Sequence, residues 1–183
     1  MRKVFFILKN LILLAFAFSC SHKSIAPISE TNDMFQNGVY KQTIEVTYKK
    51  DGKTESNSFN GILKKSSTEI YLYCYVGFGI SLFKLKDNFK EPILFVANEE
   101  RIEKNKDFFI KMYPIIKEIL FLKRNDPKLI KNQMVILMPP EQFKVHVSVS
   151  VEKIGDIPKV ITIENVEHFR FVITNNEFSL LSN

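Results

Sequence analysis

Histidine, cysteine and tryptophan are scarce in this 183-residue chain: three of the first, two of the second and none of the third. Two cysteines build no disulfide framework, and no Cys/His spacing here resembles a tetrahedral zinc set. Catalysis needs a nucleophile with a base, paired carboxylates, a metal or a phosphate cradle, and none of these can be assembled. His146 falls on the polar side of an alternating segment, so it reads as a surface residue. His168 stands beside Glu167 with no Gly-x-Ser-x-Gly elbow, so that pair reads as a surface contact. Gly77-Phe78-Gly79 lacks the further glycines and the following helix of a nucleotide loop; a tight hairpin explains it. Glu99, Glu100 and Glu103 cluster where a helix should begin, a place where carboxylates meet the positive end of the macrodipole. The chain is therefore expected to have no catalytic residues, no cofactor and no metal. A membrane-spanning run is also missing. The longest apolar stretch, Val4 to Phe18, is broken by Lys9 and Asn10 and falls short of the ~20 residues that a spanning helix needs.

What is present begins at the amino terminus. Arg2 and Lys3 precede an apolar run from Leu11 to Phe18, the order of a cleaved secretory signal. Ala17-Phe18-Ser19-Cys20 resembles the bacterial lipoprotein signal, in which the cysteine thiol is acylated and becomes the mature terminus. The resemblance implies lipid attachment at Cys20, although Ala15-Phe16-Ala17 and Ala17-Phe18-Ser19 also read as ordinary cleavage sites. Two or more acyl chains hold a protein stably on a bilayer, so the expectation is a protein anchored to a membrane of the bacterial cell envelope. Removal of residues 1–19 takes away Arg2, Lys3 and Lys9, and the net charge falls from +6 to +3. So small a surplus does not argue for a nucleic-acid partner, which calls for basic residues clustered on one face. The pairs Lys49-Lys50 and Lys64-Lys65 are expected on a solvated face or at anionic headgroups. If Cys20 is acylated, Cys74 has no partner and should sit buried as a small hydrophobe.

Residues 20–37, small, polar and interrupted by Pro27, read as a flexible tether, and residues 38–183 as one domain. Alternation places Tyr40, Ile44, Val46 and Tyr48 on one side of a first strand, and Asp51-Gly52 signals a hairpin turn. Further strands are expected over about Ser56 to Lys65, Glu69 to Val76, Ile80 to Lys86 and Pro92 to Ala97. From Glu99 to Lys123 the apolar spacing changes to three and four, as in a helix. Pro114 should kink it or open a second helix. Strands resume at Met134 to Met138, Phe143 to Lys153, Lys159 to Glu164, Phe169 to Thr174 and Phe178 to Leu181, with turns at Gly155-Asp156 and Asn175-Asn176. The expected fold is mainly β, a curved antiparallel sheet with a helix on its hollow side.

This order resembles the lipoprotein-localisation factors of the LolA/LolB type. The segments that carry the resemblance are Phe59-Asn60-Gly61-Ile62-Leu63, Glu69-Ile70-Tyr71-Leu72, Gly77-Phe78-Gly79-Ile80-Ser81-Leu82-Phe83 and Pro158-Lys159-Val160-Ile161-Thr162-Ile163-Glu164-Asn165. The resemblance implies an unclosed half β-barrel covered by a helical lid. It also implies a LolB-like lipoprotein on the outer membrane, facing the periplasm, that binds acyl chains of lipoproteins in an apolar cavity without an enzymatic step. No loop offers the exposed leucine that LolB-like proteins present to membranes. The expected inner surface comprises Ile44, Val46, Leu72, Ile80, Leu82, Val145, Val147, Ile161 and Ile163 from strands, with Ile116 and Leu120 from the helix. For the central strands the opposite face serves equally well. The competing expectation is a structural or interaction lipoprotein whose sheet is filled by its own helix and which docks an envelope protein partner.

Overall fold

The computed structural model describes residues 32–50, 52–138, 143–151, 157–165 and 167–181. The signal segment, Cys20 and the tether up to residue 31 lie outside them, as does the Gly155-Asp156 turn. The fold is mainly β, 58% strand, with two helices and one unclosed antiparallel sheet. Its strands are β1 (Gly38–Lys50), β2 (Lys53–Lys65), β3 (Ile70–Val76), β4 (Ile80–Asp87), β5 (Leu94–Ala97), β6 (Gln133–Met138), β7 (Phe143–Val151), β8 (Pro158–Asn165) and β9 (Phe169–Leu180). Their order across the sheet is β5-β4-β3-β2-β1-β9-β8-β7-β6. The chain thus lays down one half of the sheet by hairpins, crosses over through helices α1 (Glu100–Lys104) and α2 (Lys106–Leu120), and lays down the other half from its far edge back to the middle, where β9 pairs with β1.

Period-two burial decides which side is which. Tyr40, Gln42 and Ile44 of β1 are buried, as are Gly61, Leu63 and Lys65 of β2 and Val145, Val147 and Val149 of β7, and α2 lies on this inner face. Phe109 of α2 meets Phe83 at 5.0 Å and Phe95 at 5.8 Å between ring centroids, and Phe108 meets Phe169 at 6.0 Å. Arg101 of α1 donates to the Tyr48 hydroxyl at 2.5 Å, which ties the first helix to the β1–β2 hairpin.

Several expectations change. The helical region divides at Asn105, whereas Pro114 stays inside α2; the proline is exposed, so its ring faces solvent rather than the sheet. Asn175-Asn176 is not a turn. It lies within the continuous strand β9, where the register with β1 slips between Lys41 and Gln42, so that Asn176 is the extra residue of a bulge. Asn175 is inward by the parity of Phe171 and Ile173, where it accepts from Gln42 Nε2 at 2.8 Å and donates to the Pro158 carbonyl at 2.5 Å, and the bulge makes Phe178 rather than Glu177 the next residue opposite inward Tyr40. Lys65 is not on a solvated face: it is 1% exposed, because strand parity sets it on the side of Gly61 and Leu63. There it donates to Asn37 Oδ1 at 3.1 Å, faces Asp33 at 3.7 Å and lies over the Phe121 ring. Burial pulls its ammonium below the ordinary value, against the pull of Asp33. The last residues assigned to the tether join the folded body, since Met34 and Phe35 are buried and the Met34 N–H donates to the Leu122 carbonyl at 2.9 Å.

Candidate functional site

The candidate site is the seam between α2 and the inner face. Phe109, Tyr113, Ile116, Ile119 and Leu120 recur at helical spacing and form one apolar stripe. Opposite them stand inward-facing residues of the sheet: Phe59 and Leu63 from β2, Ile70, Leu72 and Cys74 from its neighbour β3, and, across β1 and β9, Ile161 and Ile163 from β8. Ile44, Phe83, Phe171 and Ile173 complete the wall, and Phe35 and Gln42 join from the amino-terminal side. Between the two surfaces a cavity of about 80 Å³ remains.

Six of the eleven residues expected on the inner surface line this cavity: Ile44, Leu72, Ile116, Leu120, Ile161 and Ile163. Val46 is half-buried against the core beyond it. Val145 and Val147 are buried at 0% and 1% exposure, but on β7, one strand further out than β8. Leu82 is buried in the core at 7% exposure, but as the residue of a bulge it does not line the cavity, and Ile80 turns outward. The β3–β4 register passes from Cys74–Phe83 to Tyr75–Ser81, which leaves Leu82 as the extra residue, and the inward set of β4 becomes Phe83, Leu85 and Asp87. Ile80 is 57% exposed. A signal for this parity exists in the sequence, because Lys84 and Lys86 share Leu82's phase. Gln42 shares the parity of Tyr40 and Ile44, so the alternation of β1 already turns it inward, whereas nothing local to Phe35 marks it, since a long-range approach brings it in. Cys20 lies outside the described residues.

One polar cluster fastens α2 to the sheet. The Tyr113 hydroxyl donates to Asp87 Oδ2 at 2.7 Å, the Lys117 ammonium donates to the same oxygen at 2.8 Å, and the Phe89 N–H donates to Oδ1 at 2.7 Å. Burial alone would raise the Asp87 carboxyl, but these three donors and the charge of Lys117 outweigh it and hold the group below its ordinary value. Tyr113 is pushed the other way, up, by burial and by the carboxylate beside it. The Cys74 thiol, fully buried, is likewise driven up by desolvation.

A second apolar feature lies on the β3–β4 hairpin. Gly77–Gly79 forms a 3-10 turn in which Phe78, at φ 60°, projects fully into solvent next to exposed Ile80. The left-handed backbone at a bulky residue is unusual, and Gly79, at φ +75°, supplies the freedom that closes the turn. Behind the tip Tyr73 stacks on Tyr75 at 5.4 Å, and the Lys84 ammonium lies 5.6 Å from the Tyr73 ring centroid.

No protein-family model matches the chain, and no curated protein matches it in sequence. Among the described residues no three His, Cys, Asp or Glu side chains group as metal ligands. No helix among them is long and apolar enough to cross a membrane. What the seam offers chemically is therefore apolar surface. The polar atoms of its lining side chains are paired, Gln42 with Asn175 and the Tyr113 hydroxyl with Asp87, and no buried side-chain nitrogen or oxygen among the described residues lacks a hydrogen-bond partner.

Proposed function

We propose that this is a lipid-anchored protein of the bacterial cell envelope that takes an apolar chain, from a lipid or from a lipoprotein, into the seam between α2 and the sheet. The observation that carries the reading is the apolar lining shared by helix and strands, whose polar side-chain atoms are already paired. Its free volume of about 80 Å³ is the closed state, well under the ~300 Å³ of the smallest ordinary ligand sites. Uptake therefore requires α2 to act as a lid and lift. Three features suit it to that: the break at Asn105, the hydrogen bond that Pro114 withholds from the middle of α2, and, among the described residues, one polar fastening of α2 to the sheet, at Asp87. Each methylene moved from water into the seam contributes ~0.8 kcal/mol, so a long chain supplies enough to displace helix contacts. No chemical step is involved; the protein binds and releases.

Phe78 supports a membrane-facing role. A fully exposed aromatic ring backed by Ile80, two tyrosines and a lysine has the order of depth of a bilayer interface: apolar tip, amphipathic rings, cation at the headgroups. The LolA/LolB-type resemblance, with its half β-barrel, belongs to the same proposal. A second reading is favoured by the small cavity itself: a filled core, with the protein serving as an interaction lipoprotein that docks an envelope partner.

Native mass spectrometry of protein purified from membranes separates the two. The carrier reading expects copurified acyl lipid and uptake of a fluorescent fatty acid. Empty protein with no uptake would leave only the second reading. Separately, Cys20→Ala is expected to move the protein to the soluble fraction; unchanged membrane association would remove the anchor from the proposal.

A further inference from the structure

The sheet ends in two unlike edges, β5 and β6. Exposed edges invite pairing, and proteins blunt them with short strands, charges, proline, bulges or a covering element. Strand β5 is blunted: it has four residues, and Phe95 within it stacks against Phe109 of α2. Strand β6 is not. Gln133-Met134-Val135-Ile136-Leu137-Met138 contains neither charge nor proline, its register with β7 runs without a slip, and among the described residues no strand pairs with its outer side.

The hydrogen bonds fix which backbone groups that outer side offers. The Val149 N–H donates to the Asn132 carbonyl at 2.9 Å, so in the same register Met134 and Ile136 turn their backbone groups toward β7 while Gln133, Val135 and Leu137 turn theirs outward. Gln133 is already engaged, because it exchanges both bonds with Ile130, at 2.8 and 2.9 Å, across a tight turn at Lys131-Asn132. The N–H and C=O groups of Val135 and Leu137 remain.

We propose that this edge pairs with β6 of a second copy of the chain, antiparallel, about a two-fold axis at Ile136. In that register Val135 of each copy lies opposite Leu137 of the other, and each such pair exchanges two hydrogen bonds, so every remaining outward group of both strands is satisfied. Shifting the axis to Val135 would set Leu137 against the engaged Gln133 and leave groups bare. The match is therefore self-complementary at one register. One pairing of two copies thus covers the exposed edge of both at once. An uncharged strand also opposes no like charges when it meets itself. Exposed apolar surface lies along the edge: Val135 is 54% and Ile130 72% exposed, both on an open groove of about 530 Å³. The product is one continuous eighteen-stranded sheet with closed two-fold symmetry.

Cysteine scanning of the full-length protein in its own membrane tests the register. Across the axis the two Ile136 residues form a pair without mutual hydrogen bonds, with Cα atoms about 4.5 Å apart, within disulfide reach. The two Met134 residues are offset by four positions, about 13 Å. Ile136→Cys is expected to give a disulfide dimer on mild oxidation and Met134→Cys none. Val135→Pro, which removes an outward N–H that β7 does not use, should abolish the Ile136→Cys dimer. Val135→Lys should do the same if the proline variant does not fold. Equal cross-linking at both positions, no dimer from Ile136→Cys, a ladder of larger species, or cross-linking to a protein of another mass would each overturn the proposal.

Discussion

Asp87 shows how much one side chain decides. Strand parity turns it inward, where a carboxylate would be costly, yet three donors converge on it and make it the fastening between β4 and α2. Asp87→Ala strands Tyr113 and Lys117 and is expected to lower unfolding free energy by about 2–3 kcal/mol in urea titration, a figure reduced by the partial exposure of Lys117. Because the folded carboxyl titrates below its ordinary 3.8, its contribution is complete above that value and is lost as pH falls through the lower folded value. The midpoint should therefore drop on acidification below about pH 4, and drop less in Asp87→Ala. Cys74 gives a second test. Buried, and with its thiolate disfavoured, it should resist a water-soluble thiol reagent in the folded protein and react fully in denaturant; rapid reaction with the native protein would show that the seam opens readily.

At the scale of elements, two substitutions probe the sheet and the helix separately. A methyl group at Gly38 would come within 2.3 Å of the Phe178 ring and 2.6 Å of the Ser179 carbonyl. Since backbone cannot yield cheaply, Gly38→Ala should cost about 1–3 kcal/mol by thermal or chemical denaturation, loosening the β1–β9 pairing that joins the two halves. Pro114→Ala should act in the opposite direction. It restores a hydrogen bond inside α2 at an exposed position and should raise stability by about 1–3 kcal/mol. If α2 is the moving part, the same variant takes up fatty acid more slowly than the parent, a difference that stopped-flow fluorescence would resolve. Faster or unchanged uptake would place the moving part elsewhere.

For the whole molecule the issue is whether an apolar chain and the packed seam can exchange places. The lining is continuous but nearly closed, so occupancy should alter α2 more than the sheet. Hydrogen exchange of protein loaded with a long-chain fatty acid is expected to change over Lys106–Leu120 while β1 and β9 stay protected. Equal change everywhere would indicate nonspecific adsorption, and no change would favour the filled core.

Alternation along β1 and β7 and the three-and-four spacing of α2 were legible without coordinates, since each reflects a local period that one face of an element must obey to be buried. So were the single antiparallel sheet and six of the residues that line the seam, though not the order of strands across it. Tertiary structure decided the rest. Bulges at Leu82 and Asn176 change which side chains point inward, and a bulge arises from pairing with a neighbouring strand rather than from the strand's own sequence. Lys65 and Asp87 are charged residues placed inside because partners from residues 33–37 and from α2 reach them, and such partners are chosen by distant parts of the chain. The helix breaks at Asn105 and runs through Pro114 because packing on the sheet holds the middle of α2 together, whereas its start has less to hold it. Local periodicity is set by neighbours in sequence; the space left between helix and sheet is set by how the two surfaces meet, and that requires the folded molecule.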